Sequence, residues 1–182
     1  MEASEILLRG WPFPNVDEME MYAHGVHNVF IGHVGKFTQI WQMGQSGHFA
    51  FEQVFLEDGL PVYAEYRNKA LFVEYIVEYF TEMFVFAAEF YGTYVGLSDS
   101  LVVDVTWHGL KDRKLLSREY IHRDQYDIAQ SDEVHIELTL AIDELKASWR
   151  EQALDATERV LEVFGAEVSR GELERMQKRF LK

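Results

Sequence analysis

Residues 68–94 constrain the fold more than any other stretch. From Lys69 to Tyr91 runs the most apolar and aromatic segment of the chain. Leu71, Tyr75, Ile76, Tyr79, Phe80, Met83, Phe86, Ala87 and Phe90 recur at three- and four-residue steps, the period of a helix with a wide buried face. Asn68 is placed to cap that helix, because its side-chain oxygen can accept from the first free amides. Gly92 is the expected stop, since glycine enters the left-handed region at little cost. A helix of about 23 residues would be about 35 Å long.

That length matches a bilayer span, but Glu74, Glu78, Glu82 and Glu89 oppose insertion. An acidic residue at the bilayer centre costs about 2.5–3.5 kcal/mol. Glu74, Glu78 and Glu82 are four residues apart and form a stripe. The expected structure is a helix buried on most sides within a folded domain, with one acidic strip exposed to solvent.

The rest of the chain supplies strands and two further helices. Glu5–Arg9 reads as a short strand, broken by the aromatic, proline-containing turn Gly10–Asn15. Asp17–Gly35 lacks a clear period and is expected to be irregular. Lys36–Met43 and His48–Leu56 form a hairpin about Gly44-Gln45-Ser46-Gly47. Ser100–His108 and Glu133–Ala141 alternate cleanly. Leu101, Val103, Val105 and Trp107 face inward on the first, and Val134, Ile136, Leu138 and Leu140 on the second. Arg113–Ser117 is expected to return as another strand, and Tyr120–Ser131 to be a loop. After a turn at Ile142–Glu144, Ser148-Trp149-Arg150-Glu151 has capping-box spacing, as does Ser169-Arg170-Gly171-Glu172. The helices they open bury Leu154, Thr157, Val160, Leu161 and Phe164, then Leu173, Met176, Phe180 and Leu181. The pattern predicts a single α+β domain over residues 1–182. An antiparallel sheet of hairpins packs on one long central helix and two C-terminal helices.

Charge and composition narrow the chemistry. The net charge is −14, and residues 1–110 hold 4 Lys/Arg against 15 Asp/Glu. Phosphate binding needs clustered cations, so direct nucleic-acid binding is not expected. Arg170, Arg175, Lys178 and Arg179 in the last helix are explained by local charge ladders. The chain has no cysteine, which removes disulfides, thiolate zinc sites and cysteine nucleophiles. The start of the sequence carries no basic flank or apolar run, so a signal peptide is not expected and the cytoplasm is the expected location.

No nucleotide-binding glycine loop or Gly-x-Ser-x-Gly elbow occurs, and the 68–94 stretch holds no Glu-x-x-His pair. No cofactor is expected, and the chain leans away from being an enzyme. His24, His27 and His33 are candidate metal ligands, read foremost as exposed loop histidines. Asp104 and Glu137 on strands, with His108, are the candidate residues of a metal-dependent hydrolase or nuclease. Against that reading, Glu137 is followed by Leu138-Thr139 rather than x-Lys, and outward polar positions of a half-exposed sheet explain the same residues. A further alternative is an acidic decoy for a DNA-binding partner. Thirteen Phe, nine Tyr and four Trp exceed what a core of this size readily hides. Aromatic residues are enriched at interfaces, so a protein partner or a homo-oligomer is expected.

Four segments carry a family resemblance: Leu8–Pro14 (LRGWPFP), Ile40–Phe49 (IWQMGQSGHF), Thr81–Ala88 (TEMFVFAA) and Val105–Leu110 (VTWHGL). In this order they resemble the C-terminal region of bacterial proteins that carry a Schlafen-type AlbA-like DNA-binding domain at their N-terminus. The resemblance covers about residues 6–181. It implies a companion or sensing domain of a nucleic-acid-associated, defence-linked bacterial protein. The AlbA-like domain itself is not visible in this sequence, and no residue role carries over from the family.

Overall fold

The computed structural model describes residues 6–8, 11–13, 20–22, 24–31, 38–118 and 127–181. Their contacts gather into two units, Met1–Asn68 and Lys69–Lys182.

In the first unit, β1 (Ile6–Leu8) and β2 (Trp11–Phe13) form an antiparallel pair, so the proline-containing turn expected at Gly10–Asn15 includes a strand. Next, β3 (Glu20–Tyr22), β4 (Gly25–Ile31), β5 (Thr38–Gly44) and β6 (Phe49–Gln53) form a consecutive antiparallel sheet. The expectation that residues 17–35 are irregular is therefore corrected. The strand character of β4 comes from its seven-residue pairing with β5, a partner that local periodicity cannot reveal. Gly25 permits that pairing, because a Cβ there would collide with the Met43 carbonyl.

The β5–β6 hairpin turns where the glycines predict, and its register settles which aromatics share a face. Trp41 opposes Phe51, and Met43 opposes Phe49. Trp41 is buried, with the Phe49 ring 6.2 Å away, and Phe49 stacks on Phe51 at 6.4 Å. A short helix α1 (Leu56–Gly59) and a 3-10 turn (Pro61–Tyr63) complete the unit. Asn68 does not cap a helix. It takes a left-handed φ of 57°, and its amide donates to the Asp58 carboxylate at 2.6 Å.

The second unit begins with β7 (Ala70–Phe72), buried in full and paired in parallel with β9 (Lys114–Leu116). This corrects two expectations. Ala70, Leu71 and Phe72 are strand rather than the first turn of the long helix, and residues 113–117 do not return beside β8 (Ser100–His108). Three consecutive apolar residues buried together fit the interior of a parallel pair. The buried Arg113 reinforces this corner, its guanidinium donating to the Gly109 and Ala70 carbonyls.

The long helix α2 runs from Val73 to Glu89 and continues through a π-helical turn over Phe90–Tyr94. Gly92 lies inside that turn, and Gly96, just beyond it, takes a left-handed φ of 67°. A Cβ at Gly92 would lie 2.7 Å from Lys146 Cδ and 3.3 Å from Ile142. The missing side chain thus allows close approach of α3 (Ile142–Phe164).

Strands β8 and β10 (Glu133–Ala141) form a nine-residue antiparallel ribbon in the boundaries and facing that alternation predicts. Its inner face meets α2 through Trp107. That ring stacks on Phe80 at 5.5 Å and 10°, and meets the Tyr79 edge at 5.8 Å and 82°. Helix α3 starts at Ile142, where a turn is expected, and breaks at Ser148. The Ser148 hydroxyl donates back to Glu144 O at 2.8 Å, so the capping-box signal marks a kink rather than a start. In α4 (Arg170–Phe180) the predicted capping box is present, with Ser169 and Glu172 satisfying each other's amides. α3 and α4 both pack on α2. The fold class is α+β, with the long helix carrying the ribbon and the two C-terminal helices. Among the described residues no helix is long and apolar enough to cross a membrane.

Trp107→Ala removes the ring between ribbon and helix. It should destabilise the second unit by about 3–5 kcal/mol in urea unfolding, whereas Thr106→Ala on the exposed face should change stability by about 0.5 kcal/mol or less.

Candidate functional site

The outward face of the ribbon is built by the same alternation that buries Trp107. Every second residue from Ser100 to His108 and from Glu133 to Ala141 points away from α2, and all are exposed. The pairing sets Asp104 directly opposite Glu137, His135 opposite Thr106, and His108 opposite Glu133. Asp104, His135 and Glu137 offer ligand atoms that lie within 4.8 Å of one another. The His135 Nε2–Asp104 Oδ1 distance is 2.8 Å.

Of the residues that the sequence nominates, the structure thus joins Asp104 to Glu137. His108 stands apart, its Nδ1 2.9 Å from Glu133. The histidine that joins the carboxylates is His135, two residues before Glu137 on the same strand face. The signal for it lies in the strand's period, but the cross-strand register that brings in Asp104 does not.

The N-terminal histidines fall elsewhere. His24 is exposed in the turn between β3 and β4. His27 is on β4, where its Nε2 lies 3.4 Å from Glu20 of the adjacent strand. His33 is outside the described residues. Among the described residues, Asp104, His135 and Glu137 form the one group of three or more metal-ligating side chains.

The acidic strip of α2 differs from its sequence reading. Glu82 is 1% exposed and Glu74 and Glu78 are half-buried, while Glu89 is exposed. α3 and α4 both pack on the helix, and part of the strip expected to be exposed is covered. Glu74 acts as a structural acceptor, its Oε1 receiving the Ser117 hydroxyl at 2.7 Å and the Arg118 amide at 2.9 Å. The Arg118 guanidinium lies 4.2 Å over the Tyr75 ring, within cation–π range. Beside them a groove of about 260 Å³ is lined by Glu74, Glu78, Arg118, Met176, Arg179 and Phe180. It mixes both charges with two apolar side chains.

On α4, the cations sit in ladders. Arg170 Nη1 is 2.7 Å from Asp155 and 3.1 Å from Glu158. Burial acts to lower the Arg170 pKa, but hydrogen bonds to Glu158 and Asp155 outweigh it and raise the value above the ordinary one. Arg175 pairs with Glu172 and Lys178 with Glu174, each at 3.8 Å. Comparison with protein-family models, with curated proteins and with solved structures returns no match.

Glu74→Ala removes the carboxylate that accepts from the Ser117 hydroxyl and the Arg118 amide. A stability loss of about 1–3 kcal/mol is expected in chemical denaturation, with faster amide exchange at Arg118.

Proposed function

We propose that this chain is a non-enzymatic interaction domain, with a protein partner or a second copy docking on the β8–β10 ribbon. One observation carries the reading. Two nine-residue strands pair only with each other among the described residues, so both outer backbone edges lack a neighbouring strand. Long edges of this kind template the addition of another strand, and proteins usually blunt them with lysine, proline or a bulge. Neither strand contains lysine or proline. Val102 adds an apolar contact, being 59% exposed on the ribbon face.

The resemblance to the C-terminal region of Schlafen-type AlbA-like bacterial proteins supports the wider setting: an accessory or sensing module of a nucleic-acid-associated or defence protein in the cytoplasm. In that setting the ribbon contacts protein, and the charge of −14 keeps this module off nucleic acid.

Light scattering after size exclusion, from micromolar to millimolar chain, tests the second copy as partner. The expected result is a mass that rises with concentration, and Val102→Lys should weaken the association about tenfold, about 1.4 kcal/mol. A strict monomer across that range, together with unchanged amide exchange along β8 and β10, would rule self-association out.

A further inference from the structure

The geometry points to a binding site for one first-row divalent transition cation at Asp104, His135 and Glu137, a property separate from partner docking. The ribbon supplies the three ligands from a rigid register. His135 and Glu137 are at positions i and i+2 of β10, and Asp104 is the direct cross-strand partner of Glu137. Directly opposed residues have Cβ atoms about 4.5–5.5 Å apart, so side chains of this length converge above the strands rather than diverge. Their ligand atoms already lie within 4.8 Å of one another. A tetrahedral site with bonds of about 2.0–2.1 Å needs ligand separations of about 3.3 Å. All three side chains are exposed, so rotamer adjustment can close the remaining distance.

Two further features of the same face favour a cation. Asp104 and Glu137 set like charges directly opposite each other, an arrangement that destabilises a strand pair. No lysine or arginine occupies an outward position of either strand to relieve it. The other histidine on this face, His108, lies against Glu133, leaving His135 as the base beside Asp104. A bound divalent ion would offset the repulsion and convert it into coordination. The imidazole sets the preference, because magnesium and calcium favour all-oxygen shells while zinc, manganese, cobalt and nickel accept one nitrogen with two carboxylates. Three protein ligands leave at least one coordination position to water. Zinc should bind more tightly than manganese, as the general affinity order requires.

Isothermal titration of the full chain with zinc, manganese and magnesium chlorides tests the assignment. One saturable zinc site per chain is expected, with weaker manganese binding and no magnesium binding at comparable concentration. His135→Ala and Glu137→Gln should each lower zinc affinity at least about tenfold, and His108→Ala should leave it unchanged. Far-UV circular dichroism checks that each variant folds. Manganese-induced broadening of amide signals in the unaltered chain, centred on residues 104 and 135–137, gives a readout that needs no substitution. Absence of saturable zinc binding, zinc binding that survives His135→Ala, or broadening centred elsewhere would each overturn the site.

Discussion

The contact between Trp107 and the Tyr79–Phe80 step of α2 is the point on which the second unit depends. A two-stranded ribbon is marginal in water. β8 and β10 persist because their inner residues are removed from solvent against helices. Trp107 is the bulkiest of the buried residues on that face, with one aromatic ring stacked on it and a second presented edge-on. Once the ribbon is fixed in this way, its other face is fixed too. The period of two that turns Trp107 inward turns Asp104 and His108 outward, and the β10 register then places Glu137 and His135 beside Asp104. The candidate cation site is therefore a consequence of core packing on the opposite side of the same two strands.

How much of this was legible in the sequence depends on how local each signal is. β8 and β10 could be read residue by residue, because alternation is a property of the segment alone. The Ser169–Glu172 capping box and the burial of Leu154, Val160 and Phe164 were legible for the same reason. The start of α2 was not. Ala70–Phe72 continues the apolar run into the helix, and only the parallel partner β9, more than forty residues away, makes it a strand. β4 is not legible either, because its pairing with β5 outweighs a weak local pattern. The burial of Glu82 is not legible, because a helical wheel shows where acids line up but not how many neighbours will cover them. Among the site residues, Asp104 and Glu137 were nominated by type and His135 was visible on its strand face. Their meeting is a matter of register, which a sequence without its turn geometry does not contain.

The two acidic features of the second unit have different physical roles. Glu74 is half-buried and accepts two hydrogen bonds that tie the segment after β9 to the first turn of α2. Its charge also lies at the positive end of the helix dipole. Asp104 and Glu137 are exposed across a strand pair, where no helix dipole or neighbouring lysine compensates them. A net charge of −14 is thus not a uniform coat. Some of it is absorbed by the fold, and some stands exposed on the ribbon, where His135 lies against Asp104 and His108 against Glu133.

The parallel pairing of β7 with β9 also sets an order of events during synthesis. β7 and α2 leave the ribosome before any of their partners. At about 5–20 residues per second, the interval from the end of α2 to the end of β10 is about 3–10 s. Through that interval the most apolar stretch of the chain lacks the completed ribbon, α3 and α4 to cover it. Glu74, Glu78, Glu82 and Glu89 then act as gatekeepers of the nascent helix, interrupting its apolar surface against aggregation. Glu82, open to solvent on the nascent helix, becomes buried only in the finished fold.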